Sequence, residues 1–489
     1  MATVELEQQQ LLIGGEWVPA SSGRSWESSG PVEGVGATPV AAAGPDDARR
    51  AADAAWAAFP AWSATPPGER RALLGRAADL LQERSEAIAT VMTEETGGTF
   101  GWGMFNCSLA AGMLREAAAQ AYGLIGEVIP SDIPGLLAMR VRQPFGVVAG
   151  LAPWNAPVIL GTRAVATPLA YGNTVVLKAS EECPRTHAAI ASALVDAGLP
   201  PGVVNLLVHE REDAGPVVDA LIEHPAVRRI NFTGSTKVGR IIAEKAGRNL
   251  KRVLLELGGK APMIVLDDAD LDAAVAAAGF GAFFHQGQIC MSTERIVADQ
   301  AVAGDFSGRL AEKASGLVVG DPRAPGTQIG PLVNEGAVRR VSELVDDARS
   351  KGAEILSGGS ADGLFYPPTV VSGVTPDMRL YAEESFGPVV TVVPVAGIDE
   401  AVRVANDTEY GLSAAVFGRD VPRAFDVARR IESGICHVNG STVHDEPQMP
   451  FGGVKASGWG RFGGRAALEE FTELRWITVG GPEGRHYPI

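Results

Sequence analysis

Between residues 145 and 257, short apolar runs alternate with helical stretches, and only a few residues connect them. "FGVVAGLAP", "TVVLKAS", "GVVNLLV", "VRRINFTG" and "KRVLLELGG" read as strands. "PVILGTRAVATPLAYG", "RTHAAIASALVDAG", "DAGPVVDALIEH" and "STKVGRIIAEKAG" read as the helices between them. Parallel strands need such crossovers, so this order predicts a parallel sheet with helices on both faces. A second α/β run begins at "APMIVLDD" and includes "LDAAVAAAGFGAFFHQG", "VVTVVPV" and "GICHVNG". No long linker separates the two runs, so the expected domains share a large interface and a cleft. Residues 46–58 and the stretch ending at Gly97 have helical spacing. "AYGLIGEVIPSDIPGLLAMRVRQ" and "ELRWITVGG" read as extended excursions outside both cores.

A chain of 489 residues exceeds what one core usually organises, which points to two or three domains. A net charge of −16 without any Lys/Arg-rich block argues against nucleic-acid binding. No uninterrupted apolar run reaches membrane-spanning length, and the N-terminus lacks a secretory pattern, so a cytoplasmic protein is expected. Four scattered cysteines without a C-x-x-C pair read as reduced thiols. The seven His residues show no metal-ligand spacing, so no metal is expected.

Several residues carry possible chemistry. Cys290 lies in "FFHQGQICMST", where an apolar run ends in a turn. It reads either as a small buried hydrophobe or as a nucleophile whose pKa the turn's N–H groups lower. Glu256 sits inside the apolar run "RVLLELGGKAPMIV", where a carboxylate is costly unless paired or functional. Burial would raise its pKa and suit a general base; a salt-bridged structural Glu is the alternative. Asn155, between Pro153 and Pro157, is either an oxyanion donor or a helix cap. Lys178 at a strand end and Glu181 after it fit a ribose site or an exposed ion pair. "RRINFTGSTKVGRII" runs a strand into Gly234, with Ser235 placed to cap a helix and Gly239 one turn in. That start could hold a pyrophosphate or be an ordinary capped turn. Gly458, Gly460 and Gly463 match G-x-G-x-x-G, but no strand leads into them and no βαβ unit follows, so they read as a decoy.

Together, "PWN" at 153–155, "KASE" at 178–181, "FTGST" at 232–236, "ELGGK" at 256–260, "GQIC" at 287–290, "EESFGPV" at 383–389 and "PFGGVKASG" at 450–458 resemble the NAD(P)-dependent aldehyde dehydrogenase superfamily. The resemblance covers nearly the whole chain. The stretch around "CHVNGSTVHDEPQMPFGGVKASG" resembles its aromatic branch, the salicylaldehyde, vanillin and benzaldehyde dehydrogenases. The fold implied is α/β, in three parts. A Rossmann-like NAD-binding domain spans 1–122 and 144–256, and an α/β catalytic domain spans 257–465. A small β oligomerisation arm spans 123–143 and 466–489, with a homodimer or homotetramer implied. By the same resemblance Cys290 is the nucleophile, Glu256 the base and Asn155 an oxyanion donor. The cofactor, NAD rather than NADP, falls to Pro153, Trp154, Lys178, Ser180, Glu181, Phe232, Gly234, Ser235, Gly239, Leu257, Gly258, Glu384 and Phe386. Ala179 stands where the family often has Pro. An aldehyde pocket is expected from Ile289, Met291 and Phe451, with Trp102 and Phe105 at its mouth. Arg163 either meets a polar ring substituent or forms a structural ion pair.

Overall fold

The alternation between residues 145 and 257 builds the middle of an eight-stranded sheet in the computed structural model, which describes residues 9–482, Gly484, Tyr487 and Ile489. Its five central strands are parallel and lie in the order Arg252–Glu256, Val227–Thr233, Val147–Leu151, Thr174–Lys178 and Val204–Leu207. The chain therefore starts in the centre, moves to one side, and returns to the other. The point of reversal lies between Val147–Leu151 and Val227–Thr233. In open parallel sheets, ligands bind at such a switch point, beyond the carboxyl ends of the strands. Residues 152–155, Gly234 and Ser235 all follow those ends.

A second, seven-stranded sheet has Ala261–Val265 and Thr293–Asp299 as inner neighbours, in parallel register with Ala261 opposite Thr293. Both faces are covered. Met263 and Val265 pack towards the helices Leu271–Phe283 and Ala303–Ser315. Ile264 and Val297 pack towards Ile398–Asn406 and Val421–Ala428. Such double burial explains the near-continuous apolar runs of these strands.

Only residues 257–260 separate the last parallel strand of the first sheet from the first strand of the second. This short crossing sets carboxyl ends of one sheet against amino ends of the other, and the cleft lies there.

Two boundaries differ from the sequence reading. Residues 466–471, expected in the arm, form the helix Ala466–Phe471, and Ala467, Leu468 and Phe471 bury into the first core. Gly458–Trp459, expected with the second domain, pairs antiparallel onto Arg252–Glu256 at the edge of the first sheet. In each case an apolar or backbone hydrogen-bonding demand of the first domain is met by distant sequence. The strands Glu127–Ile129, Leu137–Gln143 and Glu473–Val479 form a separate antiparallel sheet. Val128 and Trp476 stand largely exposed on it, at 73% and 76%. No described helix is long and apolar enough to cross a membrane.

Candidate active site

The helix Leu271–Phe283, capped by Asp270, ends just before Cys290. His285, Gln286 and Gly287 then take positive φ angles of 50°, 56° and 68°. Left-handed backbone at a non-glycine residue costs about 1 kcal/mol or more, so surrounding contacts must hold it. The buried Gln286 amide donates to the Gly97 and Pro331 carbonyls, each at 2.9 Å. Gln288 accepts from the Val333 N–H at 3.1 Å, and Ser292 donates to the Gly287 carbonyl at 3.0 Å. Only glycine fits at 287, because a Cβ there would lie 2.1 Å from the Gly387 carbonyl oxygen.

The short crossing at 257–260 meets this turn. A Cβ on Gly259 would lie 2.3 Å from the Cys290 carbonyl oxygen, so the two backbones touch. Glu256 is buried, and both its carboxylate oxygens lack a hydrogen-bond partner. Burial pushes its pKa well above the ordinary range; Arg163 and Arg461 oppose this, while Asp445 adds to it. The Cys290 thiol is pushed up to about 12 by burial, then by Glu256 and Glu384. Of the two readings of this thiol, lowering by the turn's N–H groups is opposed by desolvation and two nearby carboxyl groups. His285 cannot act as its base. Burial lowers that imidazole to about 3, and its ring stacks on Trp102 at 4.9 Å.

Asn155 joins the same turn from the first sheet. Its side-chain amide donates to the Gln288 carbonyl at 2.9 Å. An amide nitrogen carries two N–H bonds, so one remains for an oxyanion beside Cys290. The Asn155 carbonyl accepts from the Trp102 indole at 3.2 Å. Trp102 is therefore buried behind Asn155 rather than at a pocket mouth. Phe105 stacks on Trp102 at 5.6 Å and is 45% exposed.

Ile289, Met291 and Phe451 are buried together in the first core cluster. Arg163 realises the ion-pair reading. It pairs with the buried Asp445, and its guanidinium lies 4.1 Å from the Phe451 ring centroid. A narrow pocket lined by Arg163, Asp445 and Phe451 adjoins this pair. It does not touch Cys290.

On the other side of Cys290, residues fit for a dinucleotide line the switch point. Lys178 ends its strand; burial lowers its pKa. Among the described residues it has no ion-pair partner, since Glu181 lies 3.7 Å from Arg211 instead. Of the two readings, the exposed ion pair between Lys178 and Glu181 is not formed, which leaves that ammonium available to a ribose. Ser180, between them, is buried and its N–H approaches His187 at 3.4 Å. Ser235 caps the helix Thr236–Arg248 through the Val238 N–H at 3.4 Å. The Gly234 N–H already donates to the Glu256 carbonyl at 2.9 Å, so this helix start is less open than its sequence implied. The Phe232 ring packs over Gly234, and Gly239 lets the helix approach Leu257. Pro153 precedes Trp154, whose ring meets Phe386 edge-on at 5.7 Å. The Glu384 carboxylate accepts from the Gly259 N–H at 2.8 Å and lies against Gly258. Burial and the Glu294 carboxylate raise its pKa to about 7.

The G-x-G-x-x-G match serves packing. Gly458 pairs with Glu256 at the sheet edge, and a Cβ on Gly463 would lie 1.9 Å from the Met449 carbonyl oxygen. The other thiols stand apart. Cys107 and Cys183 are buried, and Cys436 lies in the second sheet. Sequence reasoning missed Lys260, Glu294, Gln286 and Asp445. Glu294 gave the same signal as Glu256, a carboxylate inside a strand-like run, "TERIVAD".

Comparison with known proteins identifies the family. The chain is 58% identical over 480 residues to a vanillin dehydrogenase of Pseudomonas sp. strain HR199, covering 98% of this chain and 99% of that one. It is 41% identical over 416 residues to a benzaldehyde dehydrogenase [NAD(+)] of Pseudomonas putida, covering 85% of each. Its fold matches the crystal structure of a salicylaldehyde dehydrogenase from Pseudomonas putida G7 complexed with salicylaldehyde. That match has a TM-score of 0.96 and 47% identity, over 99% of this chain and 100% of that one. The aldehyde dehydrogenase family model matches residues 17–477, a span that holds the five central strands of the first sheet, the second sheet, the short crossing and the turn at Cys290. An oxidoreductase site acting on aldehydes, with a nicotinamide dinucleotide as cofactor, is what these elements assemble, and the chain belongs to the aldehyde dehydrogenase family.

Proposed function

We propose that this protein oxidises aromatic aldehydes to carboxylic acids with NAD, through a thioester on Cys290. One observation carries the reading: the crossing that touches the Cys290 turn at Gly259 begins at Glu256, a buried and unpartnered carboxylate, and the Asn155 amide holds the same turn. Aromatic substrates are supported by the relatives, which are named for vanillin, benzaldehyde and salicylaldehyde. The buried Ile289, Met291 and Phe451 offer apolar walls for a ring. Initial rates across a panel of aromatic and aliphatic aldehydes test the class. A higher kcat/KM for aliphatic aldehydes or semialdehydes than for benzaldehyde would overturn it.

The Cys290 sulfur attacks the aldehyde carbon, and its proton is released to solvent. The tetrahedral oxyanion takes the free Asn155 N–H and the Cys290 backbone N–H. When bound, the dinucleotide supplies the hydride acceptor. Loss of hydride leaves a thioester on Cys290. Glu256 then takes a proton from water, which attacks the thioester carbon and releases the acid and the thiol. An aldehyde has no leaving group, so the covalent step is what makes the carbon a hydride donor. The Asn155→Ala variant is expected to lose roughly 10²–10³ in kcat with a small change in KM, the usual effect of one oxyanion donor. Steady-state kinetics with benzaldehyde check this.

NAD is favoured over NADP because the Glu181 carboxyl stays ionised. Burial pushes it up, but Lys178, a backbone N–H, His209 and Arg211 together hold it below the ordinary range. An ionised carboxylate accepts from ribose hydroxyls and repels a 2′-phosphate. Glu181→Gln is expected to raise the NADP/NAD ratio of kcat/KM by about tenfold, near 1.4 kcal/mol. An unchanged ratio contradicts the assignment. The exposed face of the three-stranded sheet, with Val128 and Trp476, supports a homodimer or homotetramer joined through the arm.

A further inference from the structure

We infer that Glu294 is a positioning residue that fixes the nicotinamide side of the site relative to Cys290. Glu294 follows Cys290 by four residues and is the second residue of the strand Thr293–Asp299. Its carboxylate is buried and receives four contacts. Lys260 donates at 2.6 Å. The Ser385 N–H reaches both oxygens, at 2.8 and 2.9 Å, and the Phe386 N–H reaches one at 3.1 Å. Lys260 closes the same crossing that carries Glu256. One carboxylate thus joins three segments: the strand that follows the nucleophile's turn, the crossing of the base, and the 384–387 loop.

That loop needs holding. Phe386 has a φ of 52°, a left-handed conformation costly for an aromatic residue. Two successive N–H groups converging on one anion form a small anion-binding nest, which stabilises that turn. Glu384, just before the nest, and Phe386, within it, are the two residues of this loop assigned above to the dinucleotide. Glu384 approaches the Gly259 N–H, and Phe386 meets Trp154. The loop also touches the nucleophile turn directly, where Gly287 abuts the Gly387 carbonyl. Moving Glu294 therefore shifts Glu384 and Phe386 against Cys290, and with them the distance over which hydride travels.

This inference rests on the proposed catalytic reading, and the test separates the two. NADH formation from benzaldehyde needs the nicotinamide side. Hydrolysis of 4-nitrophenyl acetate needs only acylation of Cys290 and attack by water. The Glu294→Gln variant keeps the side chain's size and loses its charge. We expect its single-turnover rate of NADH formation to fall by about 10- to 100-fold, the scale of an ångström-level misplacement. Ester hydrolysis stays within about twofold, and KM for NAD rises. If Glu294→Gln does not fold, Glu294→Asp, which keeps the charge against Lys260 and shortens the reach, is measured in its place. A ratio of NADH formation to ester hydrolysis lowered by about tenfold or more supports the inference; a smaller change overturns it, because a merely structural role lowers both rates together. Cys290→Ala is run alongside. Retained activity there sinks the catalytic reading, whereas an unchanged ratio with an inactive Cys290→Ala sinks only the role of Glu294.

Discussion

Replacing Cys290 with Ala is expected to lower NADH formation from benzaldehyde by roughly 10⁴-fold or more, the scale seen when a covalent nucleophile is removed. No other thiol can substitute. Cys183 is fully buried with its thiol pushed far up, and it faces His187 at 3.5 Å rather than the cleft. Cys107 lies inside the helix Phe100–Gln120, with its thiol pushed up to about 12 by burial. Cys436 belongs to the edge strand Ile435–Val438 of the second sheet. Cys290→Ser is expected to fare little better, because a buried hydroxyl ionises with more difficulty than a buried thiol. Steady-state assays with each of the four cysteines replaced in turn check this. Loss of activity confined to Cys290→Ala is the expected pattern.

Replacing Glu256 with Gln is expected to cut steady-state turnover by roughly 10²–10⁴-fold, while the first turnover of NADH stays fast. The side chain keeps its size, so the crossing at 256–260 and its contact with Cys290 survive. What is lost is proton transfer from water to the carboxylate, which only the second half of the reaction requires. The pH dependence follows from the same group. Glu256 must be ionised to act as a base, and burial has raised its pKa well above the ordinary carboxylate range. Deacylation is therefore fully present above that raised pKa and is lost as pH falls through it. The acid limb of kcat should lie well above the ordinary carboxylate range in the native enzyme. It should disappear in Glu256→Gln. Stopped-flow records of NADH absorbance separate the two phases.

Much of this arrangement was legible in the sequence because it depends on local pattern. The βα alternation fixed the parallel sheet, and the strand ends placed Asn155, Lys178, Gly234 and Glu256 on one rim. Chemistry-bearing residues in unfavourable surroundings, such as Glu256 in an apolar run, marked themselves by their cost. Contacts between distant segments were not legible. Trp102 looked like a pocket-mouth aromatic, yet its indole reaches the carbonyl of a residue more than fifty positions away. Gly458–Trp459 pairs with a strand about two hundred residues earlier. One of the two readings of Cys290 has its turn lower the thiol. Its pKa is set instead by burial and by carboxyl groups brought from two other segments. Glu294 carried a readable signal, but its partners on 260 and 384–387 meet only once the second sheet has formed.

The most direct test of the account is peptide mapping of the Glu256→Gln variant quenched after one turnover with benzaldehyde and NAD. The account predicts a benzoyl group on the peptide that contains Cys290, in an amount matching the NADH released. An unmodified Cys290 beside a full equivalent of NADH would contradict it.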